Sequence, residues 1–119
     1  MTLELLRFEI DEIDDQIVDL LISRFRCLDR VAAIKMREGL AGHDPMRERA
    51  IMERVFRKIS QAGLSFDQRR VILQVSRNVL DEGREYIKRC LHEARHDRPD
   101  RNAMDAGARL TASKDAPKR

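Results

Sequence analysis

The stretch that decides the fold is LELLRFEIDEIDDQIVDLLISRFRCLDRVAAIKMRE, residues Leu3–Glu38, which contains neither glycine nor proline. Its apolar side chains recur at alternating steps of three and four residues, the spacing of one face of an α-helix. The pattern predicts one helix of roughly 35 residues, whose apolar stripe needs companion helices or a second copy of the chain to cover it. The stripe consists of Leu6, Ile10, Ile13, Ile17, Leu20, Cys27, Val31 and Ile34, and Arg24 fills the one gap in the series.

Two further helices are predicted from start and stop signals. Gly39 follows the long helix directly, and a glycine just past a helix is a usual C-terminal stop. Asp44 then starts a second helix as its N-cap, with a proline at the first helical position. Ser65 or Asp67 is predicted to cap a third helix, and Ser65 and Gln68 have the spacing of a capping box.

The composition agrees with an all-α protein. Charged residues make up 38% of the chain and aromatic residues 4%, a balance that suits amphipathic helices better than β-sheets. We therefore predict a three-helix domain over residues 1–91. Residues 92–119 contain too few large apolar side chains to offset the entropy of ordering, which predicts a disordered tail.

Charge and cysteine content restrict the compartment and the partners. The formal net charge of +3 is too small to indicate nucleic acid by itself. No apolar run approaches the ~20 residues that span a bilayer, and the first residues do not resemble a secretion signal. Cys27 and Cys90 are interpreted as two reduced thiols, the alternative being one disulfide. We expect a cytoplasmic protein with no membrane partner.

Polar residues in the long helix suggest a binding site. Arg24 occupies the apolar stripe, where a buried guanidinium is costly unless it is paired. Lys35 lies eleven residues later and nearly on the same face. Arg7 lies 17 residues before Arg24, roughly 25 Å away along a straight helix. If Arg7 and Arg24 serve one site, Arg7 must come from a second, antiparallel chain.

The start of the second helix adds further charged groups. Asp44 and Glu48 are four residues apart and share a helix face, so both could accept hydrogen bonds from a ligand hydroxyl. Arg47 and the helix N-terminus add positive potential. The collected residues predict a site for a small dianion that carries at least one hydroxyl group. Taken singly, each residue also has a structural interpretation as a solvated charge, a helix cap or a polar residue that sets helix register.

Four segments of the chain, in this order and spacing, resemble the helical (AroQ-class) chorismate mutases. The resemblance extends over about residues 3–90 and is strongest through residue 64. The four segments are Leu6-Arg7-Phe8-Glu9-Ile10-Asp11-Glu12-Ile13-Asp14, Leu20-Leu21-Ile22-Ser23-Arg24, Val31-Ala32-Ala33-Ile34-Lys35 and Asp44-Pro45-Met46-Arg47-Glu48.

This resemblance implies an intertwined homodimer with two equivalent sites. Each site would rearrange chorismate to prephenate without a metal, a cofactor or a covalent intermediate. By analogy, Arg24 and the partner's Arg7 hold the two substrate carboxylates, and Lys35 donates to the ether oxygen. The two acidic residues of the second helix bind the ring hydroxyl, with Arg47 beside them.

The third helix departs from the family pattern, which usually supplies a serine and, one turn later, a glutamine that reaches the ether oxygen. One alignment places Leu80 and Arg84 at these positions, and another places Gly83 and Ile87 there. Arg84 could replace the glutamine as a second cation, whereas Ile87 could not. Because this wall is changed, isochorismate (with a pyruvate lyase activity) and 4-amino-4-deoxychorismate (with a mutase activity) are alternative substrates.

Two other interpretations compete with such an enzyme. A non-catalytic helical dimerisation or regulatory module would make the predicted site residues individually dispensable. A nucleic-acid binder acting through the basic tail would require strongly salt-dependent binding. The stretch His92-Glu93-Ala94-Arg95-His96 matches the H-E-x-x-H zinc motif. Its place at the end of the last helix, with no histidine downstream, indicates a chance match.

Overall fold

The computed structural model describes the backbone of residues 1–107 and the side chains of residues 1–96. This part of the chain contains three α-helices and no strand: α1 Leu3–Glu38, α2 Pro45–Ser60 and α3 Phe66–Gly107. The predicted all-α class with three helices is confirmed. α3 extends past the predicted domain boundary at residue 91 and, at 42 residues, is longer than its apolar pattern predicts. Residues 108–119 of the predicted tail lie outside the described residues, so the disorder of the tail stays a prediction.

The predicted capping signals explain where the helices begin and end. Gly39 ends α1 with a φ of 72°, a left-handed conformation that favours glycine. Asp44 caps α2, because its Oδ1 accepts a hydrogen bond of 3.1 Å from the backbone N–H of Arg47. Ser65 and Gln68 exchange hydrogen bonds of 3.0 and 3.1 Å at the start of α3. These three predictions are confirmed.

The core of the single chain is small and lies where α3 packs against the other two helices. Its main cluster consists of Ala32, Ile87 and Leu91, with Leu28 and Cys90 packed against it. The accessible surface is 9609 Å², against about 6,700 Å² for a compact monomer of this mass. The radius of gyration is 19.7 Å, against about 13.5 Å for a compact domain of this length. The single chain is therefore elongated and leaves much apolar surface uncovered.

The first half of α1 carries most of this uncovered surface. Every residue from 3 to 20 is exposed, and Ile10 and Ile13 on the predicted apolar stripe are each 52% exposed. Cys27, predicted at a core-type position, is exposed as well, and both Cys27 and Cys90 are free thiols.

Within residues 1–107, no helix is both long enough and apolar enough to cross a membrane.

Tyr86 joins α3 to the second half of α1. Its hydroxyl donates a hydrogen bond to the Asp29 carboxylate. Its ring meets Phe25 edge-on, with centroids 5.1 Å apart and ring planes at 82°. The hydrogen bond to Asp29, followed by burial of the ring, raises the pKa of Tyr86 above its ordinary value of 10.0 because both effects favour the neutral phenol.

This contact makes stability depend on pH in the alkaline range. The folded-state pKa of Tyr86 is the higher one, so its contribution to stability is fully present below about pH 10 and is lost as the pH rises further. Tyr86 is the only tyrosine and there is no tryptophan, so the ultraviolet absorbance of tyrosinate follows this group alone. We expect its titration in the folded protein to lie above pH 10, and Tyr86→Phe to reduce the alkaline loss of unfolding free energy. An ordinary titration midpoint would contradict this prediction.

Candidate active site

The three helices surround a cavity of about 420 Å³, a volume in the range of small-molecule sites. α1 and α3 contribute three cations to the cavity wall, two from α1 and one from α3. The start of α2 contributes one cation and two acidic residues, of which one is the N-cap. Six of the seven predicted site residues therefore meet at one place. They are Arg24, Lys35, Asp44, Arg47, Glu48 and Arg84.

Arg7, the seventh predicted residue, does not line this cavity. It lies on the exposed first half of α1, and the rise of an α-helix puts it roughly 25 Å from Arg24. Within one chain these two guanidinium groups cannot contact the same small ligand.

Arg24 is the most unusual residue of the cavity. Its Nη1 is the one buried side-chain nitrogen or oxygen, among the described residues, that has no hydrogen-bond partner. A buried guanidinium nitrogen without an acceptor is unfavourable, because burial removes water and nothing replaces it. Arg24 as a whole is only half-buried, so an anionic ligand in the cavity would be bound by the other donors of the guanidinium.

Lys35 is held at the other end of the cavity by the loop that follows α1. Its ammonium group donates to the carbonyl oxygens of Ala41 and Gly42, at 2.9 and 3.3 Å. An ammonium group has three donors, so one N–H is left for a ligand. The loop carbonyls thus fix the position of the charge without neutralising it.

Glu48 lies at the centre of an ion-pair network between α2 and α3. Its Oε1 accepts hydrogen bonds from Arg77 Nη2 at 2.8 Å and from Arg84 Nη1 at 3.0 Å. The side chain is 15% exposed, so the network is partly shielded from water. His43 Nε2 lies 3.8 Å from Glu48 Oε2. A carboxylate has about four acceptor sites, so Glu48 can still accept a hydrogen bond from a ligand hydroxyl.

Asp81 completes the network from α3. Its Oδ1 lies 3.3 Å from Arg77 Nε and 3.2 Å from Arg84 Nη1. Sequence reasoning missed Arg77 and Asp81 as site residues. The helical spacing of Arg77, Asp81 and Arg84 predicts that the three share a face. The contacts of Arg77 and Arg84 with Glu48, 29 and 36 residues away, depend on how α2 packs on α3.

Arg84 is positioned by three carboxylates. Its Nη1 donates to Glu48 and Asp81, and its Nε donates to Glu85 at 3.2 Å. The hydrogen bond to Glu85 raises the pKa of Arg84 most. The negative charges of Glu48 and Asp81 raise it further, whereas burial lowers it. The group is therefore a fixed cation, and its Nη2 remains available to a ligand.

Residues from both proposed alignments of the third helix line the cavity. Two of them are buried apolar side chains, Leu80 at 5% exposure and Ile87 at 4%. Gly83 lies between them in the same wall. Arg84 is the cation that α3 adds. This wall is therefore largely apolar, with one fixed positive charge.

The H-E-x-x-H stretch lies beside a second cavity of about 660 Å³, between the α1–α2 loop and the later turns of α3. The rings of His92 and His96 lie with their centroids 4.1 Å apart and their planes tilted by 45°. Within the described residues, no three His, Cys, Asp or Glu side chains are grouped to hold a metal ion.

Four cations and a paired carboxylate line one cavity of a three-helix fold, an arrangement that suits a small anionic ligand. Comparison with known proteins identifies the class of protein. The profile of the family described as chorismate mutase type II matches residues 6–88. The chain belongs to this family, and the predicted resemblance is confirmed.

One curated relative is a bifunctional chorismate mutase/prephenate dehydratase of Aquifex aeolicus (strain VF5). It is 44% identical over 52 residues, which are 44% of this chain and 14% of that protein. The chain thus matches a small part of a much longer relative. No solved structure gives a significant match.

Proposed function

We propose that this protein is a chorismate mutase, an isomerase that rearranges chorismate to prephenate. The observation that carries the proposal is one cavity that brings the half-buried Arg24 guanidinium together with Lys35 and Glu48. Chorismate carries two carboxylates, an ether oxygen and a ring hydroxyl, and the cavity offers a partner for each kind of group.

The reaction is an intramolecular Claisen rearrangement, in which the ether C–O bond breaks while a new C–C bond forms. No proton needs to be transferred and no nucleophile is required. Catalysis therefore comes from holding the reactive conformer and from charges placed where negative charge develops. Arg24 binds one carboxylate with its planar fork, and Lys35 donates its free N–H to the ether oxygen.

The ring hydroxyl donates to Glu48, whose carboxylate is held by Arg77 and Arg84. Asp44 is the second candidate acceptor, although its Oδ1 also caps α2. Arg47 lies beside them and favours an anionic substrate. Arg84 takes the place of the family glutamine as a second cation near the ether oxygen.

The site is completed by a second copy of this chain in an antiparallel homodimer. The exposed apolar stripe on the first half of α1 supports this arrangement, since a soluble monomer rarely exposes so large a contiguous patch. A two-fold axis across α1 would bring the partner's Arg7 to the cavity, where it binds the other substrate carboxylate. The two free thiols support the cytoplasm as the compartment.

A direct assay tests the proposed reaction and separates it from its alternatives. Purified protein is incubated with chorismate, isochorismate or 4-amino-4-deoxychorismate, and loss of substrate and the product formed are followed. We expect turnover of chorismate to prephenate. Turnover of one of the other two alone would assign the related activity and attribute it to the altered wall of α3. A folded dimer inactive on all three would favour the non-catalytic module.

Arg77 is expected to affect substrate binding through Glu48, although Arg77 does not line the cavity. In Arg77→Ala, Glu48 loses its 2.8 Å hydrogen bond and becomes freer to move towards Arg84. We expect KM for the substrate to rise about three- to tenfold, since a hydrogen bond between charged groups is worth about 1.5–3 kcal/mol and only part of it acts on the ligand. Arg70→Ala is the matched control, because Arg70 pairs with Asp67 and lies about two helical turns before Arg77 on the same helix. An unchanged KM in Arg77→Ala would contradict the prediction.

A further inference from the structure

Gly83 is buried in the middle of α3, directly against Arg24. A Cβ added at this position would lie 2.8 Å from Arg24 Nη1 and 3.1 Å from Leu28 Cδ1. The first distance is shorter than any normal contact between a methyl group and a nitrogen. The guanidinium can therefore occupy its present position only because residue 83 has no side chain.

The location of this glycine is not explained by helix formation. Glycine in a helix interior is unfavourable relative to alanine, and a turn or left-handed conformation does not require it here, since Gly39 and Gly63 are the glycines with positive φ among the described residues. The feature that does require it is the close approach of Arg24. The same Nη1 is the buried atom that lacks a hydrogen-bond partner.

We propose that Gly83 is a positioning residue that holds the Arg24 guanidinium for the substrate carboxylate. Because residue 83 has no side chain, Nη1 of the guanidinium lies close to the backbone of α3, and this contact keeps water away from Nη1. With a methyl group at residue 83, the flexible end of Arg24 moves away from α3, and its fork no longer matches the carboxylate. This inference rests on the proposed function, because it takes Arg24 as the carboxylate ligand.

The test is Gly83→Ala in the full-length protein. We expect the midpoint of thermal unfolding to change little, since Arg24 can move and the gain in helix propensity offsets the tight contact with Leu28. KM for chorismate is expected to rise about tenfold while kcat falls less than about threefold, because the carboxylate is charged in both the ground state and the transition state. A merely structural glycine would instead show lower stability with unchanged KM.

Arg24→Lys supplies the matched background for a double-mutant cycle. The lysine nitrogen takes the place of the guanidinium carbon, which lies 3.8 Å from the added Cβ, an ordinary contact. Gly83→Ala should therefore have almost no effect on KM in the Arg24→Lys protein, while its contact with Leu28 is the same in both backgrounds. Equal effects of Gly83→Ala in both backgrounds would overturn the proposal.

A second measurement does not depend on activity. The guanidinium NMR signals of Arg24, assigned by their loss in Arg24→Lys, report its environment in the ligand-free protein. We expect slow hydrogen exchange at the buried Nη1 and faster exchange in Gly83→Ala. Identical exchange in the two proteins would overturn the role of Gly83, whereas wild-type protein inactive on chorismate with the expected NMR change would overturn the proposed reaction alone.

Discussion

Arg24→Ala is expected to lower kcat/KM for chorismate by about a thousandfold while the protein stays folded. The guanidinium makes two charge-assisted hydrogen bonds to a substrate carboxylate, each worth about 1.5–3 kcal/mol, and about 1.4 kcal/mol corresponds to tenfold. The substitution also removes a buried nitrogen that has no partner in the ligand-free protein. The free energy of unfolding should therefore stay the same or rise.

Arg26→Ala is the control for this variant, because Arg26 lies on the same helix two residues away and is exposed. Steady-state kinetics and thermal unfolding of the two variants separate loss of the site from loss of the fold. Substantial activity in folded Arg24→Ala would rule out the proposed carboxylate site.

Mixing Arg7→Ala with Lys35→Ala is expected to restore activity that neither variant has alone. If each site combines Lys35 of one chain with the partner's Arg7, a heterodimer contains one intact site and one doubly damaged site. Random exchange makes half of the dimers heterodimers, so about a quarter of the wild-type activity should return. The measurement is the rate of chorismate loss after subunit exchange.

The control for subunit sharing is a mixture of Arg24→Ala and Lys35→Ala. Both residues line the cavity of a single chain, so every site in that heterodimer is damaged and no activity should return. Absence of recovery in the first mixture, despite demonstrated exchange, would argue against a site that is shared between chains.

Much of this site could be predicted because its residues lie on few, strongly patterned elements. Arg24 stands out since it interrupts an otherwise apolar stripe, and Asp44 and Glu48 stand out since they open a helix. The helical period then places Lys35 on the face of Arg24. These are local relations, which the chain encodes within a few turns of helix.

The third helix could not be aligned from the sequence because its apolar positions allow two alignments. Residues from both alignments line the cavity. These residues have different neighbours. Gly83 contacts Arg24, Ile87 belongs to the hydrophobic core, and Arg84 pairs with Glu48. These differences arise from the angle and depth at which α3 packs on α1 and α2, which a one-dimensional pattern does not specify.

The sequence by itself determined the helical class, the capped starts of α2 and α3, the glycine end of α1, the family resemblance and six residues that share one cavity. The physical reason is that capping, glycine stops and apolar periodicity act over distances of one to a few helical turns. Only the tertiary structure decided that Arg77 and Arg84 hold Glu48, that Arg24 Nη1 is buried without a partner and that Gly83 makes room for it. Each of these depends on contacts between helices, where differences of about 1 Å in packing decide which atoms meet.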